Sequence, residues 1–192
     1  MTQLLDPQEL QDTLEQIARA IAGAAPRNAP VAIVGIRRRG ETLAKRLLPL
    51  LERTGRRADH YGVLDITLYR DDLTAIGPSA VVRGTEIDFD ITDTWLVLVD
   101  DVLHTGRSIR AALDALTDFG RPRAIRLAVL IDRGGRELPI QPDFVGLHTD
   151  TEPHHDVRVK LTEVDGADEV ELHDRSDDSG SAGVPPAATR RG

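Results

Sequence analysis

An α/β fold with a central, mostly parallel sheet flanked by helices is predicted by three features of this sequence. Short apolar runs stand at 31–36 (Val-Ala-Ile-Val-Gly-Ile), 95–99 (Trp-Leu-Val-Leu-Val) and 125–131, the last broken only by Arg126. Runs of that length without polar alternation mark strands covered on both faces, as in parallel sheets. The first two are followed, after a Gly-containing turn, by apolar residues at helical spacing: Leu43, Ala44, Leu47, Leu48 and Leu51, then Ile109, Ala112, Leu113 and Leu116. Strand, turn and helix repeated in this order imply right-handed crossovers, with ligands bound beyond the carboxyl ends of the strands.

The remaining elements follow in chain order. Asp6-Pro7 opens a helix, because an acidic cap and a proline in the first turn suit a helix start, and Leu10, Leu14, Ile17, Ala18 and Ile21 form its apolar face. Residues 62–70 alternate well enough for a strand. Residues 71–90 are polar and punctuated by Gly and Pro, which suits a mobile loop or hairpin over a site. Apolar positions return at 157–161 and 170–172, closing a single domain over 1–173. The segment 174–192 is rich in Ser, Asp, Gly, Pro and Ala, a composition expected of a disordered tail.

A length of 192 residues accommodates one core. Hydrophobic residues make up 40% but aromatics only 3%, so aliphatic side chains must fill that core. There is no cysteine, which removes disulfides, thiolate metal ligands and a thiol nucleophile. No basic start with a long apolar run is present, so the expectation is a cytoplasmic chain with no membrane partner. A formal charge of −8 argues against a surface that holds nucleic acid through phosphate neutralisation alone.

The strongest chemical signal is the string Val-Leu-Val-Asp-Asp-Val-Leu-His-Thr-Gly-Arg-Ser-Ile at 97–109. An apolar strand delivers Asp100 and Asp101, then a turn opens a helix. Backbone N–H groups there, with the hydroxyls of Thr105 and Ser108 and the positive end of the helix, can surround a phosphate, and Gly106 permits close approach. Asp100 and Asp101 can accept hydrogen bonds from vicinal ribose hydroxyls or orient the waters of Mg²⁺. A lone Asp-Asp pair often does no more than end a strand; the whole string is far more specific.

Three further segments add to it. Gly35-Ile36-Arg37-Arg38-Arg39-Gly40 offers successive amides and guanidinium groups to a pyrophosphate, although basic turns alone are usually just solvated. Arg70, at the base of the 71–90 loop, can swing over that pyrophosphate, or merely pair with Asp71 or Asp72. In Ile131-Asp132-Arg133-Gly134-Gly135-Arg136-Glu137-Leu138-Pro139-Ile140, a strand ending in a Gly-rich turn presents backbone groups able to read the amide-like edge of a pyrimidine.

Together, Leu-Asp-Ile-Thr-Leu-Tyr-Arg-Asp-Asp-Leu at 64–73, Val-Asp-Asp-Val-Leu-His-Thr-Gly-Arg at 99–107 and Asp-Arg-Gly-Gly-Arg-Glu-Leu-Pro-Ile at 132–140 resemble the bifunctional pyrimidine operon attenuator and uracil phosphoribosyltransferase family. The resemblance covers about residues 6–172. It implies a type I phosphoribosyltransferase fold with a small hood and a flexible loop, and a homodimer or larger homo-oligomer. It further implies that Asp100 and Asp101 bind the ribose of phosphoribosyl pyrophosphate and that Val102, Leu103, His104, Thr105, Gly106, Arg107 and Ser108 lie along its 5′-phosphate. Arg37, Arg38, Arg39 and Gly40 would form a pyrophosphate loop of strained backbone. Ile131, Asp132 and Arg133 would lie at the base. The reaction implied is a Mg²⁺-dependent displacement giving UMP and pyrophosphate, with Arg39 and Arg70 stabilising the leaving group. His104 stands where purine-specific relatives carry an Asp, which favours a pyrimidine.

The family's other activity is binding of pyrimidine operon leader mRNA in response to uridine nucleotides. Here the first helix carries Asp6, Glu9, Asp12 and Glu15, and Leu147, Pro153 and Asp156 stand where the family tends to carry Lys or Arg. Arg19, Arg158 and Lys160 remain as a reduced basic patch, and added carboxylates repel a phosphate backbone. His148, His154 and His155 show no recognised metal spacing and are assigned no function. A uracil-using enzyme, an RNA-binding regulator on the same fold and a phosphoribosyltransferase for another base stay open at this point.

Overall fold

The computed structural model describes residues 1–69, 84–152 and 154–174. Chain order is β1 (Thr2–Leu5), α1 (Pro7–Ala24), β2 (Val31–Ile36), α2 (Arg39–Arg53), β3 (His60–Leu64), β4 (Trp95–Leu103), α3 (Arg107–Leu116), β5 (Ala124–Asp132), β6 (Phe144–His148), β7 (His155–Lys160), α4 (Thr162–Asp165) and β8 (Glu169–Asp174). Helix α1 starts as expected. The Asp6 carboxylate accepts the Glu9 N–H at 2.8 Å and Glu9 Oε2 accepts the Asp6 N–H at 2.9 Å, a reciprocal cap reinforced by Pro7.

Five strands form one parallel sheet in the order β3-β2-β4-β5-β6, with Val31 opposite Trp95 and Val99 opposite Ala128. Every residue of β2 is buried, because helices cover both faces. One apolar layer joins α1 and α2 to the sheet; the other lies under α3 and takes in Ile87, Phe89 and Ile91. From β2 the chain steps outward to β3 and then back to β4 on the other side. The carboxyl ends of β2 and β4 therefore flank the point where strand order reverses, the usual position of a ligand cleft in open α/β sheets.

A second, antiparallel sheet, β1-β8-β7, forms the hood. Burial in its edge strand β7 alternates, with Val157 and Val159 buried and Arg158 exposed between them, as an edge covered on one face requires. Leu5, Val157, Val159, Leu161 and Val170 nonetheless extend the α1–α2 core into it. Charge completes the attachment. Arg46 of α2 reaches Asp168 at 2.7 Å and Glu163 at 2.5 Å, and Arg39 forms two bonds to Asp165 at 2.8 and 3.2 Å.

The expected α/β class and parallel sheet are present, with several differences in detail. β1 has only four residues, too few to show a period. β6 was not anticipated, because it is only five residues long, lies at the sheet edge and has Gly146 in the middle of its apolar pattern. The strand expected over 62–70 stops at Leu64, since Asp65 Oδ1 takes the Thr67 N–H (2.9 Å) and hydroxyl (2.6 Å) and turns the chain. Of the loop expected over 71–90, residues 71–83 lie outside the described residues, whereas Glu86 bridges back to Val63. β8 runs to Asp174, where the tail was expected to begin; residues 175–192 lie outside the described residues. No helix among the described residues is long and apolar enough to cross a membrane.

Candidate active site

Strand β4 carries Asp100 and Asp101 past the edge of the apolar core. Asp100 is 8% exposed and its Oδ1 accepts the Asp101 N–H at 3.0 Å, while Asp101 Oδ1 accepts the Val102 N–H at 2.9 Å. These local bonds hold two carboxylates side by side at a strand end. The turn from β2 into α2 packs against them. A Cβ on Gly40 would collide with the Val99 carbonyl oxygen, so glycine lets the arginine turn lie directly on β4.

One cleft of about 220 Å³ results, bordered by Arg37, Arg38 and Arg39 on one side, Asp65 and Thr67 on another, and Asp100, Asp101, Val102 and Ser108 on the third. Sequence positions far apart thus share one concavity of mixed charge. The Arg37–Arg38 peptide bond is cis. Arg37 turns to Glu86 (2.6 Å) and Glu41 (3.6 Å); burial alone would lower its pKa, but the two carboxylates outweigh it and raise it. Arg38 pairs with no carboxylate among the described residues. Burial alone would raise the Asp165 carboxyl, but the Arg39 guanidinium and the Leu161 N–H hold it below its ordinary value.

The turn after β4 is built almost entirely from backbone. Gly106 sits at φ 91°, a left-handed conformation that glycine adopts without the cost a side chain would add. The Thr105 hydroxyl accepts the Arg107 N–H at 3.3 Å. The Arg107 side chain turns outward to Glu137 at 2.7 Å, leaving its N–H on the turn. Leu103, although part of the string, is buried in the α3 layer.

The Gly-rich turn after β5 lies alongside. Ile131 is fully buried, so any contact it makes with a base runs through the sheet backbone rather than its side chain. Asp132 bonds Arg136 at 2.7 Å. Arg133 is 4% exposed and binds Thr151, the His155 carbonyl and Asp156, tying this strand end to the hood. These side chains are thus committed to bonds within the protein. Arg70 lies outside the described residues.

A larger hollow of about 480 Å³ continues from Arg39 and Asp101 under the hood, where Arg158, Lys160 and Asp165 line it. Two of the three cations expected to form a basic patch therefore face this cleft, while Arg19 borders a different groove with Glu15 and Arg53. All three are paired with carboxylates: Arg19 with Glu15 (3.3 Å), Arg158 with Asp156 (3.7 Å), and Lys160 with Glu169 (2.7 Å) and Glu171 (3.0 Å). Sequence reading also missed Asp174, which the β7–β8 register sets opposite His155. His154, His155 and Asp174 consequently offer ligand atoms within 4.8 Å of one another, and the only signal was a strand pairing not visible in spacing.

Comparison with known proteins agrees with this geometry. The family model for a phosphoribosyl transferase domain matches residues 1–166. The chain is 56% identical over 164 residues to the bifunctional protein PyrR of a Roseiflexus species, covering 85% of this chain and 90% of that one. It is 52% identical over 173 residues to the bifunctional protein PyrR of Thermus thermophilus, covering 90% and 96%. Among solved structures, a hypoxanthine phosphoribosyltransferase of Trypanosoma cruzi superposes with a TM-score of 0.67 at 14% identity, covering 92% and 93% of the two chains, and so shares the fold. On the parallel sheet, the acid pair beside its glycine turn and these relatives, the chain belongs to the PyrR family of phosphoribosyl transferase domain proteins.

Proposed function

We propose that the protein transfers the phosphoribosyl group of phosphoribosyl pyrophosphate to uracil, giving UMP and pyrophosphate. The observation that carries this reading is the single cleft in which three successive arginines face two adjacent carboxylates and the start of a helix. A diphosphate at C1 and a phosphate at C5 of one pentose need opposite ends of such a cleft, with hydroxyl acceptors between them. Asp100 and Asp101 supply the acceptors, Arg38 and Arg39 the donors at the diphosphate end, and the 105–108 turn the donors at the phosphate end.

In the step itself, N1 of uracil forms a bond to C1 of the ribose, the bond from C1 to the pyrophosphate oxygen breaks, and the N1 proton leaves. Positive charge develops on the sugar and negative charge on the departing oxygen. The chain's contribution is to align the two reactants and to place fixed charge against both. The adjacent carboxylates of Asp100 and Asp101, across the cleft from three arginines, are hard oxygen donors of the kind Mg²⁺ takes, so they fit that ion. When bound, Mg²⁺ would offset charge on the pyrophosphate.

The backbone of the 132–134 turn supports a pyrimidine as acceptor, as does His104 in place of a carboxylate. The absence of cysteine suits the reducing interior of a cell, the compartment we assign to it. The test is the double variant Asp100→Asn with Asp101→Asn, assayed for UMP formation beside its circular dichroism. Loss of roughly a thousandfold in rate with an intact spectrum is expected. Near wild-type activity would refute the role of the acid pair.

A further inference from the structure

The segment after β5 was read as a base-recognition turn, but most of its bonds go elsewhere. Arg136, 15% exposed at its side chain, donates to the Ile140 carbonyl at 2.9 Å, the His104 carbonyl at 2.9 Å, the Gly134 carbonyl at 3.3 Å and Asp132 Oδ1 at 2.7 Å. The N–H groups of Glu137 and Leu138 meanwhile both donate to the Thr105 carbonyl, at 3.0 and 3.2 Å. The segment therefore grips two consecutive carbonyls of the phosphate turn from outside.

That grip has a chemical consequence. Among the described residues only the Arg37–Arg38 peptide is cis, so the 104–105 and 105–106 peptides are trans. In a planar trans peptide the C=O and the following N–H point in opposite directions. Fastening the His104 carbonyl outward aims the Thr105 N–H inward, and fastening the Thr105 carbonyl does the same for the Gly106 N–H. Two amide donors are thereby preset on the concave side of the turn before any anion arrives.

We propose that Arg136 is a positioning residue for the phosphate site: it aims the Thr105 N–H at the 5′-phosphate by holding the His104 carbonyl away from it. The inference rests on the reading of that turn as the phosphate end of the cleft. Asp132 and the Gly134 carbonyl keep the guanidinium itself in place. Lysine cannot substitute, since one ammonium cannot span acceptors set around a planar fork.

The test compares two ligands in calorimetric titrations: UMP, which needs the phosphate turn, and Mg²⁺-pyrophosphate, which needs the arginine turn. Arg136→Gln is expected to weaken UMP by roughly tenfold to thirtyfold, the value of one to two charge-assisted hydrogen bonds, while pyrophosphate changes by less than about threefold. KM for phosphoribosyl pyrophosphate should rise more than kcat falls. Arg136→Lys is expected to show the same selective loss, and provides the readout if the glutamine variant folds poorly. Equal weakening of both ligands would mark a merely structural role and overturn the inference, as would unchanged UMP binding. Failure of the wild-type protein to bind UMP at all would instead bring down the phosphate-site reading on which the inference depends.

Discussion

The two turns that border the cleft are built on opposite principles. The turn proposed to seat the 5′-phosphate is backbone pinned from outside: the Arg136 guanidinium holds the His104 carbonyl, the Glu137 and Leu138 N–H groups hold the Thr105 carbonyl, and Gly106 supplies a left-handed φ that few other residues adopt cheaply. The arginine turn is made of long side chains committed to different carboxylates, Arg37 to Glu86 and Glu41 and Arg39 to Asp165. A bond between a guanidinium and a partly exposed carboxylate exchanges readily for one to an incoming anion, whereas a peptide plane pinned on its far side does not move. In a transfer of phosphoribose, the 5′-phosphate stays with the sugar and the pyrophosphate departs. On the proposed reading, the contrast would give the retained group a rigid seat and the leaving group an exchangeable one.

The largest effect expected from breaking this contrast is at Arg39. Arg39→Gln should lower kcat/KM for phosphoribosyl pyrophosphate by roughly a hundredfold, in line with loss of one donor at developing charge, while UMP affinity stays within about threefold. Steady-state kinetics and calorimetry separate the two; an equal loss of UMP binding would erase the distinction between the turns. Next is Arg46, which clamps Glu163 and Asp168 but touches neither turn. Its pairs lie between exposed and buried, so Arg46→Met should cost about 1–2 kcal/mol, seen as faster amide exchange in β7 and β8 with β2 and β4 unchanged.

A smaller and graded effect is expected from pH. The Arg46 guanidinium holds the Glu163 and Asp168 carboxyls below their ordinary values, and Asp165 is likewise depressed. A carboxylate depressed in the folded state contributes stability above its unfolded pKa and loses it as pH falls through the folded one. Hood protection in amide exchange should therefore be flat at neutral pH and decline below about pH 4, ahead of the all-apolar β2. Uniform decline across both sheets would contradict the account of how the hood is held. The smallest effect expected is at Arg19, already paired with Glu15. Arg19→Ala should leave UMP formation unchanged, and binding of pyrimidine leader RNA should be weak with a shallow salt dependence in both proteins. Tight binding with a steep salt slope in the wild type would show that these ion pairs yield to RNA.

What could be read from the sequence was what local pattern encodes. Short apolar runs pointed to β2, β4 and β5, the Asp6-Pro7 start to α1, and the acid pair with its glycine turn to the centre of the cleft. Features set by pairing between distant segments stayed hidden. β1 and β6 are short or interrupted and exist because β8 and β5 complete their hydrogen bonding. The commitments of Arg37, Arg39 and Arg133 to Glu86, Asp165 and Asp156 depend on how the hood and the return from the 84–90 segment fold over α2 and β5. The Gly-Gly-Arg-Glu-Leu segment is the clearest case, because its composition suggested a free ligand-reading turn and its bonds instead secure a neighbouring loop.

The most direct test of a single cleft that seats a phosphorylated pentose beside a pyrimidine is pyrophosphate release from phosphoribosyl pyrophosphate in Mg²⁺ buffer, measured with uracil, hypoxanthine, guanine or no base. Release that depends on uracil and yields UMP is predicted. Release driven by a purine, or none with any base, would contradict the account.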